Sequence, residues 1–128
     1  MNSLPFSALV GTRVVSIAAV EGKEEAFIVT ESLSARIFHY QDCCESVDIC
    51  KVIGDGAALV GHVITLAEED SREPDSFTHE FGQWSESHTW TSYYIEAGGH
   101  RLEIWFLGES NGYYSETTGV EVTEVKHE

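Results

Sequence analysis

Apolar and polar residues alternate along most of the chain, which is the pattern of β-strands that bury one face. Arg13–Val20 (RVVSIAAV) and Glu25–Thr30 (EAFIVT) are rich in β-branched residues. The EGKE turn between them contains Gly22, so the two segments predict a β-hairpin. The next turn, ESLS, leads into a third strand of the same meander over Ala35–Tyr40.

The middle of the chain predicts one helical turn and one further strand. In the sequence VIGDGAALVG, Gly54, Gly56 and Gly61 bracket a short apolar run, and Asp55 is a candidate N-cap. This arrangement predicts a single short helical turn. A strand follows over His62–Ala67.

The C-terminal part shows the clearest strand signals. Thr89–Ile95 (TWTSYYI) and Arg101–Leu107 (RLEIWFL) flank a glycine turn, AGGH. The Asn111-Gly112 dipeptide tolerates the two positive φ angles of a type I′ turn. It predicts that Tyr113–Thr117 returns antiparallel to the preceding strand, and Gly119–Val125 predicts a last strand.

These segments predict a mainly β fold, with about seven strands in a single antiparallel β-sheet domain and one or two short helical turns. An α+β fold is the alternative. A chain of 128 residues suffices for one domain, so the predicted domain spans residues 1–128. No apolar run reaches the roughly 18 residues that a membrane span needs, and the sequence MNSLPFSALVGTR has no secretory signal pattern. The expected location is the cytoplasm.

Charge is the strongest property of the composition as a whole. The chain has 22 Asp and Glu against 7 Lys and Arg, for a net charge of −15. Such a protein repels nucleic acid and anionic membranes and attracts basic surfaces, although acidity also serves solubility. Residues 68–88 are polar and aperiodic and predict a long acidic loop. Its candidate partner-binding carboxylates are Glu68, Glu69, Asp70, Glu73, Asp75, Glu80 and Glu86.

The segment HYQDCCESVDIC, residues 39–50, concentrates three cysteines. A metal site could draw on His39, Cys43 and Glu45, but neighbouring Cys43 and Cys44 point to opposite faces of an extended chain, and their spacing to Cys50 matches no zinc knuckle. Cys-x-x-Cys is absent. The favoured interpretation is therefore buried free thiols, with no metal, no other cofactor and no catalytic residue assigned. A small enzyme, or a ligand or metal binder, built around Cys43 and Cys44 remains the alternative.

Aromatic residues cluster in the last 45 or so positions. On the strand RLEIWFL, Arg101, Glu103 and Trp105 share one face. Trp90, Tyr94, Trp105 and Tyr113 would form a stacking platform if they shared a sheet face. Because this region has few Lys or Arg, an aromatic core layer or a protein interface is favoured over direct binding of nucleic acid.

Several motifs resemble those of small uncharacterised proteins found in phages and in bacteria that carry phage-derived genes. They are GTRVVSI from Gly11, HYQDCCESVDI followed by IGD at Ile53, SHTWTSYY from Ser87 and GESNGYYSE from Gly108. Cys50 and the arginine-poor C-terminal strands depart from the pattern. The resemblance implies a phage or prophage origin, and it supplies no activity and no site residues.

Charge and resemblance together predict a non-catalytic acidic binding protein of viral origin with an anti-defence role. Its expected partner is a basic, nucleic-acid-binding host protein such as a CRISPR effector, which it would inhibit as an anti-CRISPR protein or DNA mimic. No nucleic acid and no membrane is expected as a direct partner, and a homodimer remains open. A structural phage protein whose acidity serves only solubility is a further alternative.

Overall fold

The computed structural model of the chain describes residues 4–39, 46–72, 87–110 and 118–125. Within these ranges the chain forms eight strands and two short 3-10 helices, and none of its helices is long and apolar enough to cross a membrane. The predicted mainly β fold is confirmed. The strands are β1 (Val14–Ala18), β2 (Ala26–Thr30), β3 (Leu33–Phe38), β4 (Ser46–Ile53), β5 (Ile64–Arg72), β6 (Ser87–Ala97), β7 (His100–Ser110) and β8 (Gly119–Glu124).

The described strands divide into two four-stranded sheets, with orders β1-β2-β3-β8 and β4-β7-β6-β5, and every pairing is antiparallel. The hydrophobic core draws on both sheets, because Ile28 and Ile37 of the first belong to one cluster with Ile95, Ile104 and Phe106 of the second. Each of these side chains is 1% exposed or less. Burying one face of each sheet in a shared interior accounts for the alternating pattern of the sequence.

Backbone hydrogen bonds join the two sheets at their edges. On one side the amide of Gly22, in the turn between β1 and β2, donates to the carbonyl of Ile49 in β4 at 2.8 Å. On the other side the amide of Val14 in β1 donates to the carbonyl of His62, just before β5, at 2.9 Å. These bonds satisfy part of the polar backbone that edge strands otherwise present to solvent.

The two 3-10 helices cover apolar residues next to the core. In Gly56–Leu59 the predicted helical turn is confirmed, and the Asp55 carboxylate accepts a hydrogen bond from the Ala57 amide at 3.0 Å. The other, Phe6–Leu9, buries both of its terminal residues. The sequence pattern did not predict it, since four residues are too few to show helical periodicity.

The hairpin of β6 and β7 confirms the strongest prediction from the sequence. The two strands of eleven residues each are joined through Gly98 and Gly99, whose φ angles of +61° and +81° lie in the left-handed region that favours glycine. The meander of β1, β2 and β3 is likewise confirmed. The predicted turn at Asn111-Gly112 and the strand Tyr113–Thr117 lie outside the described residues.

The predicted loop over residues 68–88 is wrong at both ends. Strand β5 continues to Arg72 and β6 begins at Ser87, and the two pair without interruption from Leu66 onward. The polarity of EEDSR suggested a loop, but β5 is an edge strand, and edge strands carry charged side chains that discourage further pairing. Strand β4 was also missed, because its segment was interpreted for its thiols rather than for its alternation.

Candidate functional site

The candidate site lies on the side of the β4-β7-β6-β5 sheet that points away from the core. Since side chains alternate along a strand, Tyr93 and Ile95 enter the core cluster while Ser92 and Tyr94 point outward. The register carries this division to the neighbouring strands. We call the outward surface the acidic face, and it comprises Asp48, Lys51 and Ile53 of β4, Leu66, Glu68 and Asp70 of β5, Trp90, Ser92, Tyr94 and Glu96 of β6, and Arg101, Glu103, Trp105 and Leu107 of β7.

Three aromatic side chains form the floor of the acidic face. The ring of Trp105 makes edge-to-face contacts with Trp90 and with Tyr94, each with ring centroids 6.0 Å apart. Trp90 and Trp105 are buried and Tyr94 is half-buried. The structure thus brings together three of the four aromatics considered for a platform, and the fourth, Tyr113, lies outside the described residues. The aromatic core layer is supplied instead by Tyr93, on the other side of the sheet.

Carboxylates flank this floor in register. Glu68 of β5 and Glu103 of β7 both pair with Tyr94 of β6, one from each side. In the adjacent row, Asp70 pairs with Ser92. Neighbouring strands lie about 4.8 Å apart, so the charges of β5 and β7 are held at a fixed spacing by the sheet itself.

The contacts of Arg101 show how the acidic face binds a guanidinium group. Its Nε donates to Glu103 at 3.0 Å, its Nη1 donates to Glu96, and its guanidinium carbon lies 4.9 Å from the centre of the Tyr94 ring. The hydrogen bond to Glu103 raises the pKa of Arg101 above its ordinary value, and the Glu96 carboxylate adds to the effect. Two carboxylates and an aromatic ring therefore already bind one arginine on this face.

Glu103 is held in place from a second direction. The indole Nε1 of Trp105 donates to its other carboxylate oxygen at 3.1 Å. Charge-assisted hydrogen bonds of this kind fix a carboxylate more firmly than a neutral contact. The acidic face is thus preorganised around Glu103.

A depression of ≈ 600 Å³ opens on the acidic face. Two of its carboxylates are exposed, Glu68 on the acidic face and Glu69 on the other side of the edge strand β5, in register with Tyr93. Within the described ranges of the chain neither forms an ion pair. Their negative charge therefore remains directed at solvent and at any approaching cation. The lining residues are Glu68, Glu69, Asp70, Tyr94, Arg101, Glu103 and Trp105.

The predicted partner-binding carboxylates are only partly placed by the structure. Glu68, Glu69 and Asp70 lie in strand β5 and at the depression. The remaining four lie outside the described residues, and they are Glu73, Asp75, Glu80 and Glu86. Sequence reasoning missed Glu96 and its link to Arg101, which depends on the register across the Gly98-Gly99 turn. The grouping of Arg101 with Glu103 followed from strand alternation.

The cysteine segment is only partly described. His39 is half-buried, and Cys50 is half-buried at an irregularity of β4 between Ile49 and Lys51. Cys43 and Glu45 lie outside the described residues, so a metal site with His39 stays an untested alternative. In the part of the chain that the structure covers, three or more His, Cys, Asp or Glu side chains nowhere converge in a way that could hold a metal ion.

A second depression, of ≈ 570 Å³, lies beside the β1–β2 hairpin. It is lined by Ala18, Val20 and Phe27 together with side chains of both charge signs, Lys23, Glu24 and Glu25. Its lining has two carboxylates and one ammonium group, whereas the depression on the acidic face has four carboxylates and one guanidinium group, so the second depression attracts a cation less strongly.

Comparison with known proteins identifies a domain family. The model of DUF7448, a domain of unknown function, matches residues 7–120 of the chain, a span that includes strands β1 to β7 and the start of β8. Searches of curated proteins and of solved structures gave no significant match.

Proposed function

This chain belongs to the DUF7448 family, and we propose that it is a non-catalytic binding protein whose acidic face engages a cationic surface of another protein. The observation that carries the proposal is the binding of Arg101 by Glu96, Glu103 and Tyr94. It supports the idea that arginine side chains of a partner are recognised on the same face by its carboxylates, Glu68 first among them because it is exposed.

The spacing of the carboxylates along β5 supports recognition of more than one cation at a time. Glu68 and Asp70 are two residues apart on one face of β5, which places their backbones roughly 7 Å apart. Rigidly spaced carboxylates present negative charge to Lys and Arg side chains at a fixed separation. Association would be fast and would weaken as salt screens the charges.

We further propose that the partner is a basic, nucleic-acid-binding host protein of a defence system, such as a CRISPR effector. The chain would act in the host cytoplasm after expression from a phage or prophage. The net charge of −15 and the motifs shared with phage-associated proteins support this assignment. Carboxylates on the acidic face would occupy side chains that otherwise bind phosphates, as in a DNA mimic.

The direct test is capture of partners from host lysate at low salt, with bound proteins identified by mass spectrometry. Wild-type protein is compared with the double variant Glu68→Gln/Asp70→Asn, which removes two carboxylates of the acidic face. The matched control is Glu24→Gln/Glu124→Gln, which removes the same charge from exposed positions elsewhere. Wild type and control are expected to recover a nucleic-acid-binding protein that added duplex DNA displaces.

The face variant is expected to recover several-fold less of that protein. Recovery of no nucleic-acid-binding protein would refute the proposed target. Equal recovery by the face variant and the control would refute the acidic face as the binding surface and would favour a role of the charge in solubility alone.

A further inference from the structure

Two histidines that are distant in sequence meet at one end of the described fold. His62 lies in the turn between Gly56–Leu59 and β5, and His100 is the first residue of β7. Both side chains are exposed, and their ring centroids are 6.2 Å apart with the ring planes inclined by 47°. We propose that this pair binds a divalent transition-metal ion of the class that prefers imidazole ligands, Cu²⁺, Ni²⁺ or Zn²⁺.

The separation of the rings fits a shared ion. Imidazole nitrogens bind such metals at about 2.0–2.1 Å, which places the metal roughly 3 Å from each ring centre, so two rings on one ion have centres about 5–6 Å apart. His62 and His100 are therefore within a small side-chain rotation of that arrangement. Since both are exposed, rotation meets little resistance from packing.

The backbone on which the pair sits is fixed. The amide of His62 donates to the carbonyl of Leu59 at 3.1 Å, and its own carbonyl accepts from Val14 at 2.9 Å. His100 pairs with Ala97 across the tight turn of the β6–β7 hairpin. Preorganised ligands lose less freedom on binding than ligands on mobile segments.

Gly98 makes room for the pair. A Cβ atom built on Gly98 would overlap the imidazole ring of His62, whereas one built on Gly99 would have no heavy atom within 4 Å. Both glycines have positive φ. Any side chain at position 98 would therefore push His62 away from its place beside His100, and one at position 99 would not.

The site would supply two protein ligands and leave the other positions to water. Among the described residues, three or more ligating side chains do not converge here or elsewhere. The nearby Arg13 guanidinium, which donates to the carbonyl of Gly61 at 2.7 Å and pairs with Glu31 at 3.5 Å, further moderates the affinity for a cation. The expected site is thus exchangeable and follows the usual order, with Cu²⁺ bound more tightly than Ni²⁺ or Zn²⁺.

Titration of the ¹⁵N-labelled full chain with Ni²⁺ or Cu²⁺ tests the proposal. Paramagnetic broadening of amide signals is expected to begin around residues 62 and 98–100. His62→Ala and His100→Ala are each expected to weaken Ni²⁺ binding at least tenfold, because a single imidazole cannot chelate. His88→Ala, which removes a histidine near the start of β6, at the other end of the hairpin from Gly98, should leave the affinity unchanged.

The glycine variants test whether the position of His62 beside His100 matters when both histidines are present. Gly98→Ala keeps both imidazoles and is expected to weaken binding about as much as the loss of one histidine, while Gly99→Ala should bind as wild type does. Circular dichroism confirms that each variant is folded, and the two histidine variants decide the question if Gly98→Ala is not. Broadening that begins elsewhere, or wild-type affinity in His62→Ala, would overturn the proposal.

Discussion

Tyr93 of β6 packs in the core and lies in register with the carboxylate residue Glu69 of β5. Its ring makes edge-to-face contacts with Phe6 and Phe106, with centroids 5.3 and 6.0 Å away, and its hydroxyl lies 2.6 Å from the Thr118 hydroxyl. Burial raises the pKa of Tyr93 to about 12, and the charge of Glu69 adds to this, against the lowering effect of the Thr118 hydrogen bond. Ionisation of the Tyr93 hydroxyl is therefore less favourable in the folded chain than in the unfolded chain.

The raised pKa of Tyr93 predicts a loss of stability at high pH. Below pH 10 the tyrosine is neutral in both states, so its contribution is fully present. Above pH 10 only the unfolded chain ionises, so the free energy of unfolding falls until the folded pKa of about 12 is reached. By pH 11.5 the loss is about 2 kcal/mol.

Tyr93→Phe isolates this effect. It removes the Thr118 hydrogen bond, at a cost of about 1 kcal/mol at pH 8, but it cannot ionise. Urea denaturation from pH 8 to pH 11.5 is expected to show the gap between wild type and variant closing as pH rises and then reversing, so that the variant is about 1 kcal/mol more stable at pH 11.5. Parallel pH profiles would contradict the account, since the other tyrosines titrate in both proteins.

At this scale, the predicted strand Thr89–Ile95 implies that Tyr93 and Tyr94 face opposite sides, because strand side chains alternate. The sequence did not predict which of the two enters the core. That depends on the partners that pack against the strand, and Phe6 lies in a 3-10 helix that the sequence pattern did not reveal.

At the scale of elements, hairpins were predictable and long-range pairings were not. The β1–β2 and β6–β7 hairpins follow from alternation interrupted by a glycine turn. The division into two sheets depends on pairings such as that of β3 with β8, where Leu33 lies opposite Glu124. No local sequence pattern predicts such a contact. The end of β5 was not predicted either, because its sequence is polar and the strand is stabilised by pairing with β6.

The connection from β4 to the second 3-10 helix gives a prediction about close packing. Gly54 has a φ of +103°, and a Cβ built there would overlap the backbone carbonyl oxygen of Arg101 in β7. Gly22 has a similar φ of +92° and no neighbour within 4 Å. An alanine at either position would have to adopt a strained positive φ. Only at position 54 would its Cβ also clash with a neighbouring strand.

We expect Gly54→Ala to destabilise the protein by about 1–3 kcal/mol more than Gly22→Ala does, because backbone cannot move aside as a flexible side chain can. Chemical denaturation of the two variants at neutral pH measures the difference. Equal destabilisation would show that β4 and β7 do not approach as closely as described.

At the scale of the whole molecule, the net charge of −15 was evident from the sequence, and its distribution was not. On the described outer surface of the first sheet, Arg36 pairs with Glu25, beside apolar residues such as Phe27 and Val29. On the second sheet Glu68, Asp70, Glu96 and Glu103 share the acidic face with Arg101. Because Glu121 of β8 also lies in register with Arg36 and Lys51 of β4 with Trp105, both described outer surfaces carry more carboxylates than cations, and the second sheet carries more carboxylates than the first.

The measurement that tests the central claim most directly is an NMR titration of the ¹⁵N-labelled protein with an arginine-rich peptide at low and moderate salt. Shift changes are expected on β5, β6 and β7 around Glu68, Tyr94 and Glu103, and they should diminish as salt rises. Glu68→Gln/Asp70→Asn should weaken the affinity roughly fivefold, and Glu24→Gln/Glu124→Gln by less than about twofold. Shift changes spread evenly over both sheets, or equal loss in the two variants, would contradict the account.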